Sequence, residues 1–327
     1  MKSPLRLGAL TAAGAMLLTS CGGIGNENAN ADGAESAEGL DICYVAAAES
    51  HAYASPANAA FQEAAEEQGV NVTLLSQEFD AQTGTDQLRT CIGRNPDGIV
   101  LWPVDPQAYI PGLVEAQDAG IPLVLINSPM DDDAEGLYTS FTGPDTYEQG
   151  RLAADVLNDE LGGEGQIVII AGQAGNGTTL GRTGGFNDAL EEMGSSIEVL
   201  QTVNADFDQQ RALELSRDLI SRYGDDIDGV YANDDTMARG FIDAWTESGR
   251  DVEDMPAIVG INGQQDAFES IEAGYYTATI VQSPEEDGRL ALETIVAAAT
   301  GEEVDSRIPI PLTVVTEENV ADEEPAF

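Results

Sequence analysis

A series of apolar runs in this sequence ends in polar or aromatic residues, and those ends carry its chemistry. "ICYVAAA" leads to His51 and Tyr53, "GIVLWP" contains Trp102, and "PLVLIN" closes on Asn127 followed by Ser128. Further along, "GQAGNGTTLGRTGGF" brings Arg182, "NADFDQQRALEL" brings Phe207, "VYANDDTMARG" brings Asp234, "AIVGIN" ends on Asn262 and "ATIVQS" holds Gln282. A carboxylate accepts hydroxyl protons, an arginine donates in a rigid fork, and amides do one of each. Aromatic rings add flat apolar plates. Such a set suits reversible capture of an uncharged, hydroxyl-rich molecule, and one arginine against one acid disfavours a phosphate ester. Each residue also has a plain structural use: His51 as a surface group, Tyr53 and Phe207 as core caps, Arg182 in a surface ion pair worth little.

Covalent and metal chemistry lack their parts. The glycine-rich stretch at 172–185 has neither the G-x-x-x-x-G-K-[ST] spacing nor a lysine. There is one histidine, no Cys-x-x-Cys pair and no G-x-S-x-G elbow. Asp131, Asp133, Glu135 and Gly136 imitate the start of a calcium loop, but Thr142 stands where a bidentate glutamate would be needed. The expectation is a protein that is not an enzyme, with no cofactor and no metal.

The elements that must position these residues alternate. Short apolar runs read as buried parallel strands, and segments such as "NAAFQEAAEEQG" and "RALELSRDLISRYG" have helical spacing, many closed by glycine. Strand and helix in turn mean βαβ units, an α/β fold with helices on both faces of parallel sheets. In such sheets ligands sit beyond the carboxyl ends of the strands, which is where the polar residues fall. The pattern restarts after "SFTGPDTYEQG".

The beginning of the chain reads differently. Lys2 and Arg6, an apolar stretch from Leu7 to Leu18, then Thr19 and Ser20 form a secretion signal of residues 1–20, too short to span a bilayer. Leu18-Thr19-Ser20-Cys21 resembles a bacterial lipobox, which makes Cys21 a lipid anchor at the membrane outside the cytoplasm. Residues 21–39 are rich in glycine, alanine, asparagine and acid, the composition of a disordered tether with an r.m.s. span of about 25 Å. The chain holds 13 Lys+Arg against 59 Asp+Glu. Removal of Lys2 and Arg6 with the signal leaves 11 − 59 = −48. That charge repels phosphate backbones and excludes nucleic acid as a partner. Two cysteines remain, Cys43 on the first strand and Cys91 near the end of a helix at the same sheet edge. This placement favours a disulfide over two buried thiols.

Taken in order and spacing, the strand-end segments resemble the type 1 periplasmic sugar-binding proteins of ABC importers, the ribose-binding kind above all. The likeness runs from Leu40 to about Val315 and is most specific at Ala205-Asp206-Phe207-Asp208, Arg182-x-x-Gly185-Phe186, Asp235-x-Met237-Ala238 and Ala278-Thr279-Ile280-x-Gln282. The resemblance implies two doubly wound parallel-sheet lobes joined by a three-strand hinge, crossed near Gly143, Ser283 and Pro311. The lobes would be 40–143 plus 283–311 and 144–282 plus 312–320, with 321–327 a frayed tail. It also implies ligand contacts at His51, Tyr53, Trp102, Asn127, Ser128, Arg182, Phe207, Asp234, Asn262 and Gln282. Asn127-Ser128 departs from the Asp-Arg pair of pentose and hexose binders, and Asp234 and Asn262 exchange the family's Asn and Asp. Arg182 and Asp234 are expected to serve the ligand alone, so that alanine there costs affinity and spares folding. The implied partners are a sugar or polyol and an ABC permease, for a protein acting as a monomer. A ligand sensor that addresses a kinase or chemoreceptor is the alternative.

Overall fold

The computed structural model describes residues 36–327; the signal, Cys21 and the tether as far as residue 35 lie outside the described residues. Two six-stranded sheets organise the chain. The first takes β1 (Asp41–Ala46), β2 (Asn71–Ser76), β3 (Gly98–Leu101), β4 (Leu123–Ile126), β5 (Ser140–Gly143) and β11 (Arg307–Pro309), in the order β11-β5-β4-β3-β1-β2, all parallel. The second takes β6 (Glu164–Ala171), β7 (Ser196–Asn204), β8 (Gly229–Ala232), β9 (Ala257–Asn262), β10 (Ala278–Val281) and β12 (Thr313–Thr316), in the order β12-β10-β9-β8-β6-β7. Only β12 runs antiparallel to its neighbour, β10. β5, β11 and β12 are not foreseen from apolar runs, because they are short and carry Ser, Thr, Arg and Pro.

Alternation along the strands makes the layers. In β6, Val168 and Ile170 join a buried cluster with Phe241, Trp245 and Leu219, from α6 (Gln209–Tyr223) and α7 (Asp235–Glu247). Ile167 and Ile169 point the other way, onto Leu157 and Phe186 of α4 (Thr146–Glu160) and α5 (Gly177–Met193). A strand buried on both faces has no polar positions to give, which is why these runs read as continuously apolar. Between β9 and β10, α8 (Gln265–Glu272) adds Phe268 and Ile271 to the first of these clusters. The first sheet is covered likewise, with α1 (Ala54–Gln68) beside α9 (Pro284–Ala299) and α2 (Ala81–Arg94) beside α3 (Ile110–Asp118). Cys43 on β1 and Cys91 on α2 form a disulfide, with Cα atoms 5.7 Å apart.

The chain passes between the sheets three times: between β5 and α4, between β10 and α9, and between β11 and β12. Two expectations at the ends need correction. Residues 37–39 form a turn rather than tether, since the Gly39 N–H donates to the Gly69 carbonyl and Ala37 packs on the first core. The last residues are docked, not frayed. The Ala326 N–H donates to Gly263 O at 2.7 Å, Phe327 O accepts from the Gln265 N–H at 2.9 Å, and the Phe327 ring lies 5.8 Å from that of Tyr53. An acidic composition says nothing of backbone pairing, and the terminal aromatic supplies the apolar area that holds the segment down.

Candidate functional site

Every residue that the strand ends nominate opens onto one cavity. His51, Tyr53, Trp102, Asn127 and Ser128 follow strands of the first sheet; Phe207, Asp234 and Gln282 follow strands of the second, Asn262 ends β9, and Arg182 lies on α5. Phe79, Asn176 and Thr178 complete the lining and were not singled out. A signal for Phe79 exists. Glu78-Phe79-Asp80 after β2 repeats Asp206-Phe207-Asp208 after β7, and in both places the Asp caps the next helix by accepting a backbone N–H three residues on. Glu78, Phe79, Asp206 and Phe207 all have φ between 50° and 60°.

Backbone strain gathers here. Of the described non-glycine residues at positive φ, Phe79, Asn127, Phe207 and Asn262 line the cavity, Glu78 and Asp206 adjoin it, and Asn95 lies elsewhere as a helix end. Such conformations cost about 1–3 kcal/mol each and persist where the surroundings impose them, commonly at binding sites.

The side chains are oriented from behind. His51 Nδ1 faces the backbone N–H groups of Tyr53 and Ala54 at 3.3 and 3.4 Å. Burial, with Arg182 nearby, pushes its pKa down to about 4, so the ring is neutral and carries its proton on Nε2. That Nε2 is buried without a protein partner. Arg182, 2% exposed, donates Nε–H to Gln149 Oε1 at 2.8 Å and Nη1–H to the Asn233 carbonyl at 2.6 Å. Gln149 Nε2 then donates to Gln282 Oε1 at 2.9 Å, and Gln282 Nε2 to Asn262 Oδ1 at 2.7 Å. Because a guanidinium can only donate, the whole relay has one direction, and Asn262 is left with its Nδ2 protons to give. Gln149 belongs to α4, away from any strand end, and so carries no sequence signal.

Asp234 caps α7, its Oδ1 accepting the Met237 N–H at 2.8 Å. Its Oδ2 is buried and unpaired, and burial pushes the pKa up to about 7. The next residue, Asp235, is structural: its oxygens accept from Tyr276, Thr279 and the backbone of Gly263 and Gln264. Asp234 and Arg182 therefore do not serve a ligand alone. One caps a helix and the other holds two buried acceptors, so alanine at either position also costs folding energy.

Contacts cross between the two sheets' loops around the cavity. Ser128 Oγ, which receives the Trp102 indole N–H at 3.2 Å, lies 2.8 Å from Thr178 Oγ1. Asn176 Nδ2 donates to Val104 O at 3.1 Å and Gln173 Nε2 to Phe79 O at 3.3 Å. The Phe207 ring sits 6.3 Å from His51 and 6.2 Å from Phe79. The space between these contacts is narrow, with about 30 Å³ open to water-sized groups. A wider groove of about 670 Å³ runs past Asp131, Asp132 and Asp133, but none of the side chains lining it carries a buried unpaired polar atom.

Known proteins share this architecture. A periplasmic binding protein domain matches residues 42–303. The ribose import binding protein of Bacillus subtilis (strain 168) is 27% identical over 253 residues, 77% of this chain and 79% of that protein. The xylitol-binding protein of Mycolicibacterium smegmatis is 28% identical over 318 residues, 96% of this chain and 86% of that protein. Among solved structures, an ABC transporter solute binding protein from Bacillus halodurans C-125 with bound myo-inositol superposes with a TM-score of 0.80 at 27% identity. The match covers 88% of this chain and 97% of that one.

Proposed function

The chain belongs to the periplasmic binding protein domain family, and on that premise we propose that it is an extracytoplasmic solute receptor of an ABC importer. It takes a neutral sugar or sugar-like polyol into the cavity and delivers it to a membrane permease. The lobes are 40–143 plus 283–311 and 144–282 plus 312–320, pivoting at the crossings near Gly143, Ser283 and Pro311. Cys21 carries the lipid anchor, and the receptor works as a monomer.

One observation carries the reading. His51 Nε2, a donor, and Asp234 Oδ2, an acceptor when ionised and a donor when protonated, stand buried and unpaired in a cavity otherwise lined by rings, amides, hydroxyls and Arg182. A hydroxyl satisfies either kind of atom, whereas an apolar guest satisfies neither. A phosphate would bring charge against Asp234 in a chain of net charge −46. A ligand touching both lobes favours the closed form by its differential affinity, and closure displays to the permease a surface that the open form lacks. The similarity to ribose, xylitol and myo-inositol binders agrees with this chemistry.

The test is a thermal-shift screen of the purified protein against D-ribose, D-allose, D-fucose, xylitol, myo-inositol, nucleosides and sugar phosphates, followed by calorimetry. A neutral sugar or polyol should raise the melting temperature by mass action. A response to nucleosides or phosphates alone, or recovery of a chemically altered compound, refutes the proposal.

A further inference from the structure

Asp287 lies behind the cavity wall, fully buried in the first turns of α9. It is absent from the lining, yet its Oδ2 accepts from two residues that are present: Tyr53 Oη at 3.2 Å and Asn127 Nδ2 at 2.8 Å. A tyrosine hydroxyl has one proton, so Tyr53, having given it to Asp287, can offer only lone pairs. Asn127 has turned its amino group to Asp287, and its Oδ1 takes no hydrogen bond from the described residues. We infer that Asp287 is a positioning residue that sets the hydrogen-bonding sense of this part of the cavity: the Tyr53 hydroxyl has spent its one proton and the Asn127 carbonyl oxygen is left facing away from Asp287, so both offer lone pairs and the solute must bring a donating hydroxyl there.

The inference rests on the sugar or polyol reading above and narrows it. Elsewhere the wall donates, through His51 Nε2 and the Nδ2 of Asn262, so the cavity reads a pattern and does not merely count hydroxyls. The sense holds in both protonation states of Asp287. Burial pushes its pKa up to about 7, but Oδ2 already receives two donors, and the proton belongs on the unpaired Oδ1. The hydrogen bond to Asp287 fixes which way the buried Asn127 amide faces.

The experiment is calorimetric titration of the full protein with D-ribose, D-allose, xylitol and myo-inositol, and with the mono-deoxy derivatives of each. Wild type should bind at least one parent compound and reject one of its deoxy derivatives by about a hundredfold or more. Asp287→Leu removes the acceptor at similar volume, so the Tyr53 hydroxyl and the Asn127 amino group are freed to donate to the solute. The parent should weaken roughly tenfold, and its advantage over that deoxy derivative should shrink by about tenfold. Wild-type affinities and ratios in Asp287→Leu overturn the inference and leave the receptor reading intact, as does an equal loss for parent and derivative, the mark of a simple brace. Wild type that binds none of the compounds overturns both. Should Asp287→Leu fail to fold by circular dichroism, Tyr53→Phe takes its place. It removes one of the paired oxygens, and an undiminished ratio there overturns the inference equally.

Discussion

Gly177 offers a way to separate closure from folding. It is the first residue of α5, on the second lobe, and a Cβ built there would meet the backbone carbonyl of Pro129 on the first lobe well inside the 3.0 Å that real Cβ atoms do not cross. Neither backbone yields, so Gly177→Ala must be accommodated by parting the lobes by on the order of an ångström to restore ordinary contact. The residues on either side then lose their bridges: Asn176 to Val104, now 3.1 Å, and Thr178 to Ser128, now 2.8 Å. Each is worth about 0.5–1.5 kcal/mol, so closure should lose about 1–3 kcal/mol. Affinity for the sugar or polyol that wild type binds should fall roughly fivefold to 150-fold. The lobe itself should not suffer, because Gly177 does not need a positive φ and alanine is the better helix former. Calorimetry measures the affinity, small-angle scattering the compaction on binding, and a melting curve the stability without ligand. Unchanged affinity together with unchanged compaction would refute the argument. A lowered melting temperature without ligand would show that the glycine serves the fold instead.

Other expectations follow from the same contacts. Asp234→Asn keeps the α7 cap while removing the charge, so the melting temperature at neutral pH should not fall while affinity drops by about 1.5–3 kcal/mol, measured by titration; equal affinity removes Asp234 from the site. Arg182→Ala should abolish binding and also lower the melting temperature, because Gln149 Oε1 and Asn233 O lose their donor. Asp234 and Asp287, both pushed up to about 7, keep protons that the unfolded chain has released, so each lowers stability as pH rises from about 4 to about 7. His51, pushed down to about 4, acts the other way below about 6.5 but is one group against two. The melting temperature should therefore rise as pH falls from about 7.5 to about 5.5, less so in Asp234→Asn or Asp287→Asn; identical slopes in all three proteins would count against these assignments. Replacing Cys43 and Cys91 by alanine opens a loop of 48 residues' separation and should cost up to about 4 kcal/mol in urea unfolding; no loss would mean the bond does not constrain the unfolded chain.

What could be read in advance follows from where the information sits. Strands buried on both faces announce themselves by composition, and the residue after such a strand is placed by topology alone, so His51, Asn127, Phe207 and Asn262 were legible. Phe79 was legible too, through its repeat of the Phe207 loop, but only once the duplication is noticed. Gln149 and Asp287 were not. Both sit on helices, facing inward, and their use depends on which side chain of a distant element arrives within 3 Å or so. The fold of β11 and β12 and the docking of Ala326 were hidden for a related reason: backbone pairing at a sheet edge asks little of side chains.

The docked end has a practical side. Ala326 and Phe327 pair with Gly263 and Gln265, next to Asn262 on one lobe, while the Phe327 ring leans on Tyr53 of the other. Any purification handle or fluorophore fused behind Phe327 would thus begin at the threshold of the cavity and brace both halves at once. Titrations on such a fusion would measure the handle along with the receptor.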